Sequence, residues 1–153
     1  MANEERTLII LKPDAIQRRL VGRILQRFEE KGLKLAALKL ARLDTKILEI
    51  HYGEHKQKPF YPSLIKFMSA GPVVLGVIAG NRAVEVVRKM MGKTFAHQAE
   101  PGTIRGDLGI SSQFNLIHGS DSAESAKREI ELFFKSEELN SNEMPDARWL
   151  TDE

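Results

Sequence analysis

Leu8-Ile9-Ile10-Leu11 is a run of four apolar residues with no polar alternation, stopped by Lys12 and Pro13. A strand with one face in water alternates, so a strand over Thr7 to Lys12 has to be covered on both faces. Pro72 to Ala79, with Val-Val-Leu-Gly-Val-Ile at its centre, is a second strongly apolar strand. The rest of the chain has to be arranged around these two runs.

Between them the period becomes helical. Val21, Ile24, Leu25 and Phe28 share a helix face that Gly32 closes. Leu33, Leu35, Leu38 and Leu40 read as a strand, and the step from Leu35 to Leu38 breaks its alternation as a bulge would. Asp44 can cap a short helix over Thr45 to Tyr52, ended by Gly53, and Ser63 to Ser69 supplies another, so the two form a helical-hairpin insert. After the second apolar strand, Asn81 can cap a helix with Ala83, Val86, Val87, Met90 and Met91 inward and Arg88 outward, closed by Gly92. Lys93 to Gln113 lacks periodicity and is a long loop of the kind that carries function. Phe114 to Ile117 ends a further strand and Gly119 supplies a turn. A helix from about Ser122 to Phe134 then buries Ala126, Ile130 and Phe133. The polar segment from about 136 to 153 packs on the surface, with Trp149 as its anchor.

The order β-α-β, helical insert, β-α-β is that of an α+β, ferredoxin-like split β-α-β sandwich with a four-stranded antiparallel sheet. With 153 residues the chain, 1–153, reads as one domain, long enough for one substantial core and too short for two. Helices on one face of the sheet would leave the other apolar, which requires a partner subunit.

The totals exclude several classes of function. There is no cysteine, hence no disulfide, thiol nucleophile or cysteine-ligated metal. A formal net charge of +2 does not demand nucleic acid or an anionic membrane, so any phosphate must be met by locally placed cations. The polar start, Met1 to Arg6, is unlike a signal peptide, and no stretch approaches the roughly 20 apolar residues of a membrane span. A cytoplasmic protein is expected.

Asn115-Leu116-Ile117-His118-Gly119-Ser120-Asp121-Ser122 is where chemistry concentrates. An apolar run stops at an imidazole, and Asp121 can cap the following helix with Glu124 three residues on. Such a helix start favours an anion, above all a phosphate. As a nucleophile, His118 needs a carboxylate on its far nitrogen to hold the tautomer and stabilise the developing cation. Glu129 is either that partner, facing back toward the strand end, or an ordinary surface carboxylate. Lys12 at a strand tip, Arg88 on a helix face and Arg105 in the long loop are available to hold phosphates. Each alone resembles a solvated surface charge.

Two familiar patterns fail. His51-Tyr52-Gly53-Glu54-His55 matches H-x-x-E-H, but Gly53 interrupts the helix a zinc site needs. Gly92-Lys93-Thr94 resembles the end of a phosphate-binding loop, yet Val87 stands where that loop needs a glycine. His97 reads as solvated. A nucleic-acid-binding module on this fold lacks an aromatic-rich strand motif.

Leu11-Lys12-Pro13-Asp14, Pro101-Gly102-Thr103-Ile104-Arg105-Gly106-Asp107 and the segment around His118 together resemble the nucleoside diphosphate kinase family, over nearly the whole chain. The resemblance implies exchange of the terminal phosphate between nucleoside triphosphates and diphosphates, ping-pong, through a phosphohistidine at His118. It also implies that Glu129 and Ser120 orient the ring, and that Lys12, Arg88, Thr94 and Arg105 hold phosphates. Lys12 and Asn115 would contact ribose with Tyr52 supporting Lys12, while Phe60 stacks on the base beside Leu64 and Ser112. Stacking on a π-face tolerates every base. Magnesium (Mg2+) would come with the nucleotide, and Asp121 would reach it through water. Homo-oligomers, hexamers or tetramers built from dimers, are implied too. The alternative is a catalytically weak binding or scaffolding member of the same fold. Ser112 replaces an apolar residue common in relatives, Phe95-Ala96 replaces Asn-Pro, and Ala15 replaces a glycine. Which ring nitrogen of His118 attacks is left open.

Overall fold

The computed structural model describes residues 4–152; the polar start at Met1 to Asn3 and the last tail residue, Glu153, lie outside the described residues. Strands β1 (Glu4–Leu11), β2 (Lys34–Ala41), β3 (Val73–Asn81) and β4 (Ile117–Gly119) form one sheet in the order β2-β3-β1-β4. Every neighbouring pair is antiparallel, as the ferredoxin-like order requires. The helices are α1 (Pro13–Gln17), α2 (Val21–Glu30), α3 (Thr45–His51), α4 (Tyr61–Ser69), α5 (Ala83–Met91), α6 (Ile104–Leu108) and α7 (Ala123–Phe133).

The apolar run in β1 explains how the layers are stacked. Leu8 and Ile10 point to one face, where Leu48 of α3, Met68 of α4 and Ile130 and Phe133 of α7 cover them. Ile9 and Leu11 point to the other, under Ile24 and Phe28 of α2 and Val87 and Met91 of α5. All four are fully enclosed, and each such burial contributes about 1.5–3 kcal/mol. The uncovered sheet face expected from sequence is therefore absent, because the insert and the last helix close it. What remains bare is the β2 edge, where Leu38 and Leu40 are 47% and 68% exposed.

Several local readings shift by a residue or two. The break in β2 is a bulge, with the register slipping between Leu35 and Ala37, and the Ala36 carbonyl freed there accepts from Asn140. Asn81 does not cap α5: it closes β3, and Glu5 Oε2 reaches across from β1 to accept from Val84 N at 3.1 Å. Ser122 rather than Asp121 caps α7, accepting from Ser125 N at 3.0 Å, because the cap must directly precede the first helical residue. Strand β4 starts at Ile117, so Phe114 lies outside it. Gly119 makes no turn; it ends β4 and lets α5 come close, since a Cβ there would lie 2.5 Å from Met91 Sδ. Trp149 is 74% exposed and anchors nothing. The tail is held instead by Asn140, by Lys34 donating to the Asn142 carbonyl, and by Leu150 lying over Gly32. Helices α1 and α6 were not legible, being single turns.

Candidate active site

His118 is the middle residue of β4, opposite Ile10 of β1, and its ring stands half-buried against α7. Glu129, two turns into α7, is buried and meets it: the ring Nε2 lies 3.1 and 3.0 Å from the two carboxylate oxygens. Ser120 donates to Glu129 Oε1 at 2.7 Å, and its own oxygen accepts from Leu8 N at 3.2 Å. The serine thus ties the carboxylate to the central strand. Burial works against the ionised carboxyl of Glu129, yet the bonds from His118 and Ser120 outweigh it and hold its pKa below the usual value. With Nε2 turned to a carboxylate, Nδ1 is the ring nitrogen left free.

A second group of side chains joins the start of α1 to the strand end. Lys12 is buried and donates to Asn115 Oδ1 at 2.8 Å, while Asn115 Nδ2 donates to the Thr94 carbonyl at 3.0 Å. Arg105 lies in the first turn of α6, where Thr103 caps the helix by accepting from Gly106 N. Its guanidinium donates to the carbonyls of Asn115, Gly92 and Ile117, tying α6 to two other segments while leaving two of its five N–H groups unused. Burial, with Arg105 nearby, pushes the Lys12 ammonium down to about 8; burial, with Arg88 nearby, pushes Arg105 down to about 10. Asp14 offsets part of the charge on Lys12, but burial dominates for both cations, so the pair favours an incoming anion. Leu116, just before β4, is held at φ 73°, a conformation costly for leucine, with its N–H on Asp14 Oδ2 at 3.1 Å.

Arg88 is exposed and donates to the Gly119 carbonyl at 3.2 Å, which puts it directly behind His118 in the chain path. Asp121 is exposed; the Ser125 hydroxyl outweighs slight burial and, with Arg88, keeps its carboxyl below the usual range. An open cleft of about 590 Å³ beside them is lined by Arg82, Arg88, Lys89 and Asp121 but not by His118.

Other expected residues stand apart from these bonds. Phe60 precedes α4 and is 49% exposed, with Lys58 Nζ 5.7 Å from its ring centre. Leu64 packs on the core under α4. Ser112 is exposed, 3.4 Å from His97 Nδ1. Tyr52 is buried and its hydroxyl has no hydrogen-bond partner, so it does not reach Lys12 through one. Burial and Glu129 push that phenol up.

His51 was missed. Its ring packs edge-on to His118 with centroids 4.7 Å apart, and Nδ1 lies 3.6 Å from Glu129 Oε2. Burial pushes it down to about 3, so it is neutral. The signal was present: Ile47, Leu48, His51 and Tyr52 repeat at helical spacing and mark the inward face of α3.

An imidazole backed by a buried carboxylate, beside confined cations on an α+β ferredoxin-like sandwich, is suited to phosphoryl transfer, the chemistry of a phosphotransferase. Residues 5–139 match the family model described as nucleoside diphosphate kinase. The nucleoside diphosphate kinase of Thermomicrobium roseum is 56% identical over 146 residues, 95% of this chain and 98% of its own. That of Methanocaldococcus jannaschii is 52% identical over 136 residues, 89% of this chain and 97% of its own. Among solved structures, a halophilic nucleoside diphosphate kinase from Halobacterium salinarum, in complex with CDP, matches with a TM-score of 0.95 at 43% identity, covering 98% of this chain and 100% of that one. The chain belongs to the nucleoside diphosphate kinase family.

Proposed function

We propose that the phosphate transfer performed by this chain, from a nucleoside triphosphate to a nucleoside diphosphate, runs through a phosphoryl group carried on Nδ1 of His118. The observation that carries this reading is the pair of contacts between Nε2 and Glu129, which puts the ring proton on the far side and the free lone pair on Nδ1. That lone pair attacks the terminal phosphorus, the bond from phosphorus to the bridging oxygen breaks, and the diphosphate leaves with the electron pair. The ring becomes cationic as it is phosphorylated, and the ionised Glu129, held by Ser120, stabilises it. A second diphosphate then takes the phosphoryl group by the reverse path.

Lys12, Arg88 and Arg105 meet the charge on the transferring group, and Thr94, whose carbonyl is already pinned by Asn115, presents its hydroxyl to a phosphate. Lys12 and Asn115 contact ribose; Tyr52 supports them by packing. Phe60 stacks on the base, with Leu64 and Ser112 at its rim, and base tolerance follows. The groups around His118 are mainly cations, which fits magnesium held by the nucleotide's own phosphates with Asp121 as the carboxylate at hand. When bound, that ion neutralises phosphate charge.

The bare β2 edge with Leu38 and Leu40 supports a homo-oligomer assembled from dimers, as tetramer or hexamer. Among the described residues no helix is long and apolar enough to cross a membrane, and a cysteine-free chain suits the cytoplasm. We read 1–153 as one domain, because both cores share β1. A scaffolding role without turnover would not need a buried Lys12, Arg105 and Glu129 around one imidazole.

The test is incubation with magnesium and terminally labelled ATP. An acid-labile, base-stable label is expected on His118, released by any nucleoside diphosphate and absent from His118→Ala. A labelled protein that kept its phosphate when offered a diphosphate would overturn the scheme.

A further inference from the structure

The failed H-x-x-E-H pattern leaves one of its imidazoles unexplained. His55 turns away into a short turn with Phe60, 5.5 Å between ring centres, so the two histidines of the pattern do not pair. His51 instead points inward: its side chain is 2% exposed, and neither nitrogen has a hydrogen-bond partner. Leaving such a group enclosed and unpaired is costly, and natural proteins rarely do so without a ligand. What faces it is the back of the nucleophile. His51, His118 and Glu129 each offer one donor atom, all within 4.8 Å of one another.

We propose that His51 Nδ1, Glu129 Oε2 and His118 Nε2 form an inhibitory site for a zinc-like divalent cation, separate from any magnesium that travels with nucleotide. The reading rests on His118 being the nucleophile. Two imidazoles and a carboxylate with a fourth position open to water are a zinc donor set, and tetrahedral bonds of about 2.0–2.2 Å place neighbouring donors some 3.3–3.5 Å apart. Two of the three separations, 3.0 Å from His118 Nε2 to Glu129 Oε2 and 3.6 Å from there to His51 Nδ1, lie on either side of that spacing, and the third, between the imidazoles, is within 4.8 Å. Glu129 can give Oε2 to the metal without surrendering Oε1, which already accepts from Ser120. A pocket of about 260 Å³ lined by Ile50, His51, Arg128, Glu129, Glu131 and Leu132 gives access to two of the three donors, His51 and Glu129. Of its lining residues, Arg128 opposes cation entry and Glu131 favours it.

The inhibition follows from the tautomer. An imidazole bound to metal through Nε2 cannot keep its proton there, so the proton passes through solvent to Nδ1. Nδ1 then has no lone pair for phosphorus.

The test uses the full chain, with buffered free Zn2+ against constant excess magnesium. Phosphoenzyme formation from labelled ATP should fall as zinc rises, and His51→Phe or His51→Gln should need on the order of tenfold more zinc for the same fractional loss. Metal binding is measured without nucleotide: X-ray absorption of zinc-loaded wild-type protein should give two imidazole nitrogens and a carboxylate oxygen. A shell of oxygens alone, or equal zinc sensitivity in the His51 variants, overturns the proposal. The wild-type absorption measurement stands even if the variants fail to fold. Mapping the label in metal-free protein reports on the nucleophile separately, so failure of that reading is told apart from failure of the metal site.

Discussion

The imidazole end of the site and the rim proposed to face the base are built in opposite ways. Around His118, Lys12, Arg105, Asn115, Ser120 and Glu129 are all buried, and each side chain makes a hydrogen bond to another part of the fold. At the rim, Phe60 and Ser112 are exposed, and they sit on the insert and the long loop rather than on the sheet. Polar groups set in place before the reaction need no reorganisation during it, so the buried end is suited to a transition state. An exposed aromatic face restricts little, and it suits a ligand whose variable part should not be read.

That contrast can be broken most severely at the carboxylate. Glu129→Gln is expected to slow phosphoenzyme formation on the order of a hundredfold while leaving nucleotide KM nearly unchanged, measured by single-turnover labelling. An equal loss in KM would mean that the buried end merely binds. Lys12→Gln comes next, with about 1.5–3 kcal/mol lost in kcat/KM, the worth of a hydrogen bond to a charged group. In the wild type, Lys12 is cationic below its lowered pKa of about 8 and neutral above it, so kcat/KM should fall as pH rises through that value. The variant should lose this step.

The rim should respond differently. Phe60→Ala is expected to raise KM by about 1–3 kcal/mol equivalent for purine and pyrimidine nucleotides alike, with kcat unchanged, in steady-state assays across bases. A base-selective effect would show that the rim reads identity. Ser112→Val is the smallest change, a severalfold decrease in KM from about 0.8 kcal/mol per added buried carbon.

Legibility followed the same division between sheet and loop. Periodicity placed β1, β3, α2 and α5, because long apolar faces repeat. It missed α1 and α6, which are single turns held by tertiary contacts, and it placed the α7 cap one residue early. Two-sided cover was readable in Leu8 to Leu11, yet which helices supply it depends on where α3, α4 and α7 return. At the site, His118 and its neighbours were visible as a motif, whereas Glu129 was ambiguous until α7 was docked. His51 was dismissed with a failed motif, since sequence gives the inward face of α3 but not what lies across from it.

The contacts that make the site join distant parts of the chain. Leu8 to Ser120 spans 112 positions, Lys12 to Asn115 spans 103, and Leu116 to Asp14 spans 102. These partners flank β4, a three-residue edge strand that comes last in the chain and pairs with β1, the first. Closing a loop of that length is an entropic cost paid before any catalytic contact exists. Catalytic competence is thus a late event in the life of each molecule: a nascent chain has no site until its two ends have met.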